Sequence, residues 1–227
     1  MNNIHTDFRK YALSNGVHGS ALDSYDKQVA NLMTPYILEE RQLNVSTLDV
    51  FSRLMLNKIL YFTGEVTQDS CSIAIAQLLY LESLNNGQPI NCYITSPGGS
   101  CIAGLALCDT MKYIKTPVHT TCIGMAASMG AVILSCGEKG NRGLLQNSTV
   151  MIHSVSSTLG GPGVHSNDIR IEMKEMEKTE DKLFHILAEN CGKSYDEIKA
   201  DCERDKWLWG QEAVDYGICD KVLVPNN

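Results

Sequence analysis

Ser128 lies in the most chemically suggestive stretch of the chain, residues 124–130, which read Gly-Met-Ala-Ala-Ser-Met-Gly. Small residues flank the serine at the junction of a predicted strand and a predicted helix, so its hydroxyl is reachable. The helix start supplies free backbone N–H groups that could bind an oxyanion. Ser128 is therefore a candidate nucleophile, although the same small residues would also let a helix pack closely on a sheet.

A nucleophilic serine needs a base within hydrogen-bond reach and a third group that orients the base. The chain has six histidines, and of these His153 ends a predicted strand that can share a sheet with the Ser128 strand. Asp201, Glu203 and Asp205 are candidate acids, giving the chain order Ser, His, acid. Spacing alone does not choose among the three carboxylates.

Two strand–helix units must position these groups. The predicted strands cover residues 90–95 and 118–123, and the helices that follow them cover residues 102–114 and 128–136. Parallel strands place the turns at their carboxyl ends along one sheet edge. The turn containing Gly98 and Gly99 is therefore expected beside Ser128, in an α/β fold.

The remaining pattern predicts further short elements and one long helix. Shorter helices are expected at 46–58, 69–84, from 194 and at 211–216, and strands at 59–62, 144–146, 149–153 and 221–224. The longest helix is expected at about residues 167–190, with an apolar stripe that Glu180 interrupts. If its own domain does not bury the whole stripe, the remaining apolar side chains favour packing against a neighbouring subunit. We therefore expect an oligomer.

The sequence predicts one domain preceded by an N-terminal arm. Residues 1–35 have little periodicity and are expected to form a flexible N-terminal arm, which is compatible with a removable propeptide. Residues 36–227 are expected to form one domain, since no linker divides them.

Composition excludes several classes of protein. The formal net charge is −7 with no basic block, which argues against a nucleic-acid partner. Nine cysteines without a Cys-x-x-Cys pair predict neither a zinc site nor a disulfide framework, and we expect no metal or cofactor. The N-terminus lacks a secretory pattern, and the uncharged residues 116–137 are too polar for a membrane span. A cytoplasmic location is expected.

Four motifs in order carry a family resemblance. They are Ser-Pro-Gly-Gly at 96–99, Gly-Met-Ala-Ala-Ser-Met-Gly at 124–130, Val-Met-Ile-His at 150–153 and Glu-Arg-Asp at 203–205. Together they resemble the proteolytic subunits of the Clp protease family, from about residue 33 to the C-terminus. No single motif would be specific.

The resemblance implies a serine endopeptidase with a crotonase-like fold of stacked β-α-β units and a protruding handle helix. Carried over by motif, Ser128 is the nucleophile, His153 the general base and Asp205 the residue that orients the imidazole. The backbone N–H groups of Gly99 and Met129 would form the oxyanion hole. The substrate would pair as a strand with residues Ser100, Cys101 and Ile102 on one side and with residues near Leu159 and Gly160 on the other.

The same resemblance implies two stacked heptameric rings that enclose a chamber. An AAA+ ATPase of the ClpX or ClpA/ClpC type would unfold protein substrates and feed them in. Lys193 follows a glycine as in a phosphate-binding loop, but the preceding residues are the end of a helix, so we expect no ATP site on this chain.

Three other functions are compatible with parts of the pattern. The chain could be a non-catalytic or specialised ring subunit that partners an active paralogue. It could be a crotonase-type acyl-CoA enzyme, which would use the oxyanion hole for a thioester enolate. A Ser–Lys peptidase on the same scaffold is also conceivable.

Overall fold

A computed structural model describes residues 4–31, 37–41, 44–84, 87–156 and 165–224. In chain order its helices are α1 (Ile4–Ser14), α2 (Gly19–Asn31), α3 (Val50–Leu56), α4 (Gln68–Ser83), α5 (Cys101–Tyr113), α6 (Met129–Ser135), α7 (Ser166–Cys191), α8 (Tyr195–Asp201) and α9 (Gln211–Tyr216). The strands are β1 (Ile37–Arg41), β2 (Asn44–Leu48), β3 (Ile59–Thr63), β4 (Ile90–Ser96), β5 (Val118–Ala127), β6 (Arg142–Leu145), β7 (Thr149–Ile152), β8 (Lys206–Trp209) and β9 (Lys221–Leu223).

A mostly parallel sheet forms the centre of the described part of the chain. Strands β3, β4, β5, β6 and β9 lie side by side in that order, and β7 and β8 extend the sheet from β5. All pairs are parallel except β7 with β8. Every second residue of β4 is buried, so one face of the sheet is covered. This architecture confirms the predicted α/β fold class.

Strand β5 changes its partner halfway along. Residues Thr120–Cys122 pair with β6, and residues Met125–Ala127 pair with β7. Gly124 lies at the change with a φ of +78°, and its N–H donates to the Ser148 hydroxyl at 2.9 Å. The same hydroxyl donates to the carbonyl of Cys122 at 3.2 Å. The strand predicted at residues 118–123 is therefore longer in the structure, where β5 ends at Ala127, the residue before Ser128.

The N-terminal segment contains two helices where a flexible arm was expected. Phe8 of α1 and Leu22 of α2 are buried, and the rings of Phe8 and Tyr11 contact Tyr80 of α4 edge-on. Each helix carries a short apolar stripe of its own, so local spacing indicates both helices, and the expectation of a flexible arm overlooked that signal. The predicted boundary at residue 35 lies outside the described residues, and removal of the segment stays a prediction.

The helix expected at 46–58 is shorter in the structure. Residues Asn44–Leu48 are the second strand of an antiparallel hairpin with β1, and α3 begins only after Asp49. The carboxylate of Asp49 accepts the N–H of Ser52 at 3.0 Å, so it caps the helix and sets its start.

A buried ion pair ties the start of β6 to the start of β9. The Arg142 guanidinium donates to both carboxylate oxygens of Asp220, at 2.9 and 2.6 Å, and to the carbonyl of Asn190 at 2.9 Å. The Arg142 side chain is 3% exposed and that of Asp220 17%. Burial alone would raise the pKa of Asp220, but the hydrogen bonds from Arg142 outweigh it and lower that pKa.

Among the described helices, none combines the length and apolar character that a membrane span requires. The uncharged stretch 116–137 instead forms all of β5 and all of α6, whose seven residues are all buried.

Loss of the buried ion pair is expected to be costly. Asp220→Asn should lower the free energy of unfolding by about 3 kcal/mol near neutral pH, because it leaves a buried guanidinium without its counter-charge. A carboxylate with a lowered folded pKa stabilises the fold above its unfolded pKa of about 3.9, and this contribution is lost as the pH falls through the folded pKa. The difference between wild type and variant should therefore narrow below about pH 4.

Urea unfolding at several pH values measures this difference. Asp109→Asn, an exposed carboxylate on α5, is the control and should change the free energy of unfolding by less than about 0.5 kcal/mol. Equal effects of the two substitutions would contradict the prediction.

Candidate active site

Ser128 occupies a strained position between β5 and α6. Its φ is +55° and its ψ is −125°, in a region that residues with a side chain rarely adopt. The N–H of Ser128 donates to the carbonyl of Met151 in β7 at 2.8 Å. The neighbouring strand therefore holds the backbone in this conformation and turns the hydroxyl out of the sheet.

His153 reaches Ser128 through the register of β5 and β7. Ala127 is paired with Met151, so the residues just beyond the two strand ends lie side by side. Nε2 of His153 is 2.8 Å from Oγ of Ser128, which is a hydrogen-bond distance. The structure thus brings the predicted nucleophile and the predicted base together.

Asp205 lies opposite His153 across the antiparallel pair β7 and β8. Ile152 is paired with Lys206, so the next residue of one strand faces the preceding residue of the other. Oδ1 of Asp205 is 4.0 Å from Nδ1 of His153, and the Asp205 side chain is 60% exposed. This distance is an ionic contact and is longer than a hydrogen bond.

The alternative carboxylate Asp201 has other partners. It accepts hydrogen bonds from Lys206 Nζ and from the Tyr216 hydroxyl. Burial alone would raise the pKa of Asp201, but these two donors outweigh it and lower the pKa. Asp201 therefore helps to hold β8 in place through its bond to Lys206. Asp205 is the carboxylate that faces the histidine.

The Gly98-Gly99 turn lies directly against the serine. A Cβ atom on Gly98 would lie 2.5 Å from Cβ of Ser128, so only glycine allows this approach. Val66 binds one side of the turn, donating to the carbonyl of Gly98 at 2.8 Å and accepting from Ser100 at 2.7 Å. The N–H of Gly99, between these two groups, is directed to the opposite side of the backbone.

Gly99 and Met129 both line the cavity that contains Ser128 and His153. Met129 is the first residue of α6, where helix N–H groups have no acceptor within the helix. The backbone therefore offers two donors beside the hydroxyl, as an oxyanion hole requires.

Helix α7, which the sequence did not assign to the site, supplies an apolar floor to the cavity through Leu183, Phe184 and Leu187. Further apolar side chains that line the cavity are Met129, Val132, Ile152 and Val155. The available signal was the apolar stripe of the long helix, in which Leu183 and Leu187 are buried and Met173 is exposed. The predicted helix 167–190 is confirmed as α7, Ser166–Cys191.

The predicted substrate-strand residues are placed differently from one another. Cys101 lines the cavity. Cys101 and Ile102 are the first two residues of α5 and Ser100 is its N-cap, so a helix begins where an extended edge was expected. Leu159 and Gly160 lie outside the described residues.

Glu180 of α7 fixes the segment that follows His153. Its Oε1 accepts the backbone N–H of Val155 at 2.9 Å, and the N–H of Ser154 donates to the carbonyl of Cys202 at 2.7 Å. Glu180 therefore has a structural role although it interrupts the apolar stripe. Its carboxylate accepts a hydrogen bond from the backbone amide of Val155, at the edge of the site.

Gly98→Ala should disrupt the site by displacing Ser128. The added Cβ would meet the Ser128 side chain, and a displacement of about 1 Å can reduce the rate of reaction of an active-site nucleophile about 100-fold. The rate of Ser128 labelling by a fluorophosphonate measures the effect.

Gly140→Ala is the matched control. Gly140 has a φ of +90°, close to the +96° of Gly98, but nothing lies within 4 Å of its added Cβ. Both variants share the backbone strain of about 1–2 kcal/mol, and only Gly98→Ala should lose labelling. Equal labelling of the two would contradict the argument.

Comparisons with known proteins identify the family of this chain. The family model described as Clp protease matches residues 41–226. The chain is 46% identical over 219 residues to the ATP-dependent Clp protease proteolytic subunit of Bacteroides fragilis (strain YCH46), covering 96% of this chain and 98% of that protein. It is 41% identical over 221 residues to the protein of the same name from Porphyromonas gingivalis, covering 97% of this chain and 98% of that protein. It is also 41% identical over 195 residues to proteolytic subunit 1 of Salinibacter ruber, covering 86% of this chain and 82% of that protein. This chain belongs to the Clp protease family.

Proposed function

We propose that the chain is a serine endopeptidase that acts as the proteolytic subunit of an ATP-dependent Clp protease. The observation that carries this proposal is the 2.8 Å contact between Ser128 Oγ and His153 Nε2. The contact lies in a cavity that is also bordered by the backbone of Gly99 and Met129. A nucleophile, a base and two oxyanion donors therefore share one site.

The reaction follows from these positions. Ser128 Oγ attacks the substrate carbonyl as Nε2 of His153 takes its proton, and the N–H groups of Gly99 and Met129 stabilise the oxyanion that forms. His153 then gives the proton to the leaving amine. Water attacks the acyl-enzyme with His153 acting again as base, which releases the second product and restores the serine.

Asp205 orients the imidazole in this scheme. An acid on the Nδ1 side keeps the proton on Nδ1 and leaves Nε2 free to accept from Ser128. At 4.0 Å the two groups attract each other without a hydrogen bond, so a small movement of β8 towards β7 would complete the triad.

The cavity accounts for part of the substrate selection. The apolar floor formed by Leu183, Phe184 and Leu187 suits an apolar side chain next to the scissile bond. Cys101 borders the same cavity and, with Leu159 and Gly160, is proposed to flank the substrate strand. Such contacts read mainly backbone, so the substrates are proposed to be unfolded polypeptides.

Assembly and partners follow from family membership and from exposed apolar surface. Ile171 and Met173 on the N-terminal half of α7 are 61% and 43% exposed, which suits burial against another subunit. We propose stacked heptameric rings and an AAA+ unfoldase of the ClpX or ClpA/ClpC type. The names of the relatives include ATP dependence, and that ATP use is assigned to the unfoldase. The cytoplasmic location stays a prediction.

Replacement of the nucleophile tests the proposal most directly. Ser128→Ala should reduce kcat for a short fluorogenic peptide by about 10⁶-fold, as in other serine peptidases that lose the nucleophile, and should abolish fluorophosphonate labelling. Ser83→Ala, on the exposed end of α4, is the control and should behave as wild type. Labelling that persists in the Ser128→Ala variant would rule out Ser128 as the nucleophile.

Replacement of the orienting acid separates the two acidic candidates on the loop before β8. Asp205→Asn should reduce kcat by about 10⁴-fold, because the amide favours the wrong histidine tautomer. Glu203→Gln, two residues away and also exposed, should change kcat less than about twofold if it has no role in orienting the histidine. A larger loss for Glu203→Gln than for Asp205→Asn would assign the role to Glu203 instead.

A further inference from the structure

Glu180 is a charged residue on the face of α7 that forms the floor of the active-site cavity. Leu183, Phe184 and Leu187 line the cavity from this helix, and Glu180 precedes them by three, four and seven positions. Residues with these spacings lie on one face of an α-helix. The carboxylate is therefore carried about one helical turn from the apolar floor, on the same element.

The carboxylate also holds one wall of the cavity. This wall is the segment Ser154–Ser156, whose three residues all line the cavity. Oε1 of Glu180 accepts the backbone N–H of Val155, the middle residue of the wall, at 2.9 Å. The Val155 side chain is partly buried and packs against the core. A single hydrogen bond to a charged acceptor thus joins the wall to the helix that forms the floor.

A different set of contacts holds the proposed base. Strand β7 pairs with β8 up to the residue before His153, and the N–H of Ser154 donates to the carbonyl of Cys202 at 2.7 Å. These contacts flank the histidine on both sides, and neither involves α7. Loss of the Glu180 bond should therefore displace Val155 and leave His153 beside the nucleophile.

We propose that Glu180 is a positioning residue for the substrate side chain next to the scissile bond. By fixing Val155 relative to α7, the carboxylate sets the width of the cleft into which that side chain fits. The inference rests on the proposed peptidase function, because it concerns how the substrate is bound at that site. Glu180 should act on KM more than on kcat, since the cleft and the reacting groups are held by different contacts.

Steady-state kinetics of the full chain with two short fluorogenic peptides test the proposal. One peptide carries leucine before the scissile bond, and the other carries alanine. Glu180→Ala should raise KM for the leucine peptide about tenfold, the effect of losing one hydrogen bond to a charged group. Its kcat should change less than about twofold, as expected when binding alone is weakened. The alanine peptide fills less of the cleft and should show a smaller rise in KM.

Two further variants separate the hydrogen bond from other effects. Glu180→Gln keeps an acceptor oxygen in the same place, so its KM should stay within about threefold of wild type. Glu177→Ala is the matched control, because Glu177 is exposed and lies three positions earlier on α7, and it should behave as wild type. A fluorophosphonate should label Ser128 at the wild-type rate in all three variants.

Several results would overturn the inference. They are an unchanged KM in Glu180→Ala, an equal rise for both peptides, or no rescue by Glu180→Gln. A fall in kcat and in the labelling rate as large as the rise in KM would assign Glu180 a general structural role instead. Failure of the proposed peptidase function is distinguishable, because the wild type itself would then neither hydrolyse the peptides nor be labelled at Ser128.

Discussion

The change of partner along β5 is the constraint on which the rest of the site depends. A straight strand paired with β6 throughout would leave no room for β7, and His153 would not reach the serine. Gly124 and the buried Ser148 hydroxyl hold the strand at the point of change. Beyond it, the pairing of Ala127 with Met151 places Ser128 and His153 side by side, and Gly98 approaches the Ser128 side chain closely.

Ser128 and His153 could be predicted from the sequence because each follows a strand whose pattern is local and clear. Asp205 could not be chosen from spacing, because its position depends on the pairing of β8 with β7, whose partner residues lie 54 to 60 positions apart in the chain. Strand β8 is also hard to predict from the sequence, because Trp207 and Trp209 are both exposed and only Leu208 between them is buried. Family resemblance identified Asp205, and the register now explains it physically.

The larger differences from the sequence reading are at the N-terminus and at the starts of helices. Helices α1 and α2 are short and amphipathic, and they bury Phe8 and Leu22 against α4. Local periodicity indicates such helices, but it does not identify α4 as their partner. The start of α3 depends on one cap at Asp49, a feature that a general apolar pattern does not locate. The long helix was predicted within a residue or two, because a stripe over many turns is the strongest local signal. Its contribution to the floor of the site was missed because this depends on how α7 packs on α6.

Helix α7 is one unbroken rod of 26 residues, about 39 Å long at 1.5 Å per residue. Its inner end lines the cavity that contains Ser128 and His153 through Leu183 and Phe184, while its outer end presents exposed side chains. Glu180, near the middle, is bonded to the segment after His153. Because the helix is unbroken, the exposed side chains at its outer end and the apolar side chains at the cavity belong to one hydrogen-bonded element. Ser128 does not depend on that element for its position, since its backbone is bonded to Met151 of the sheet.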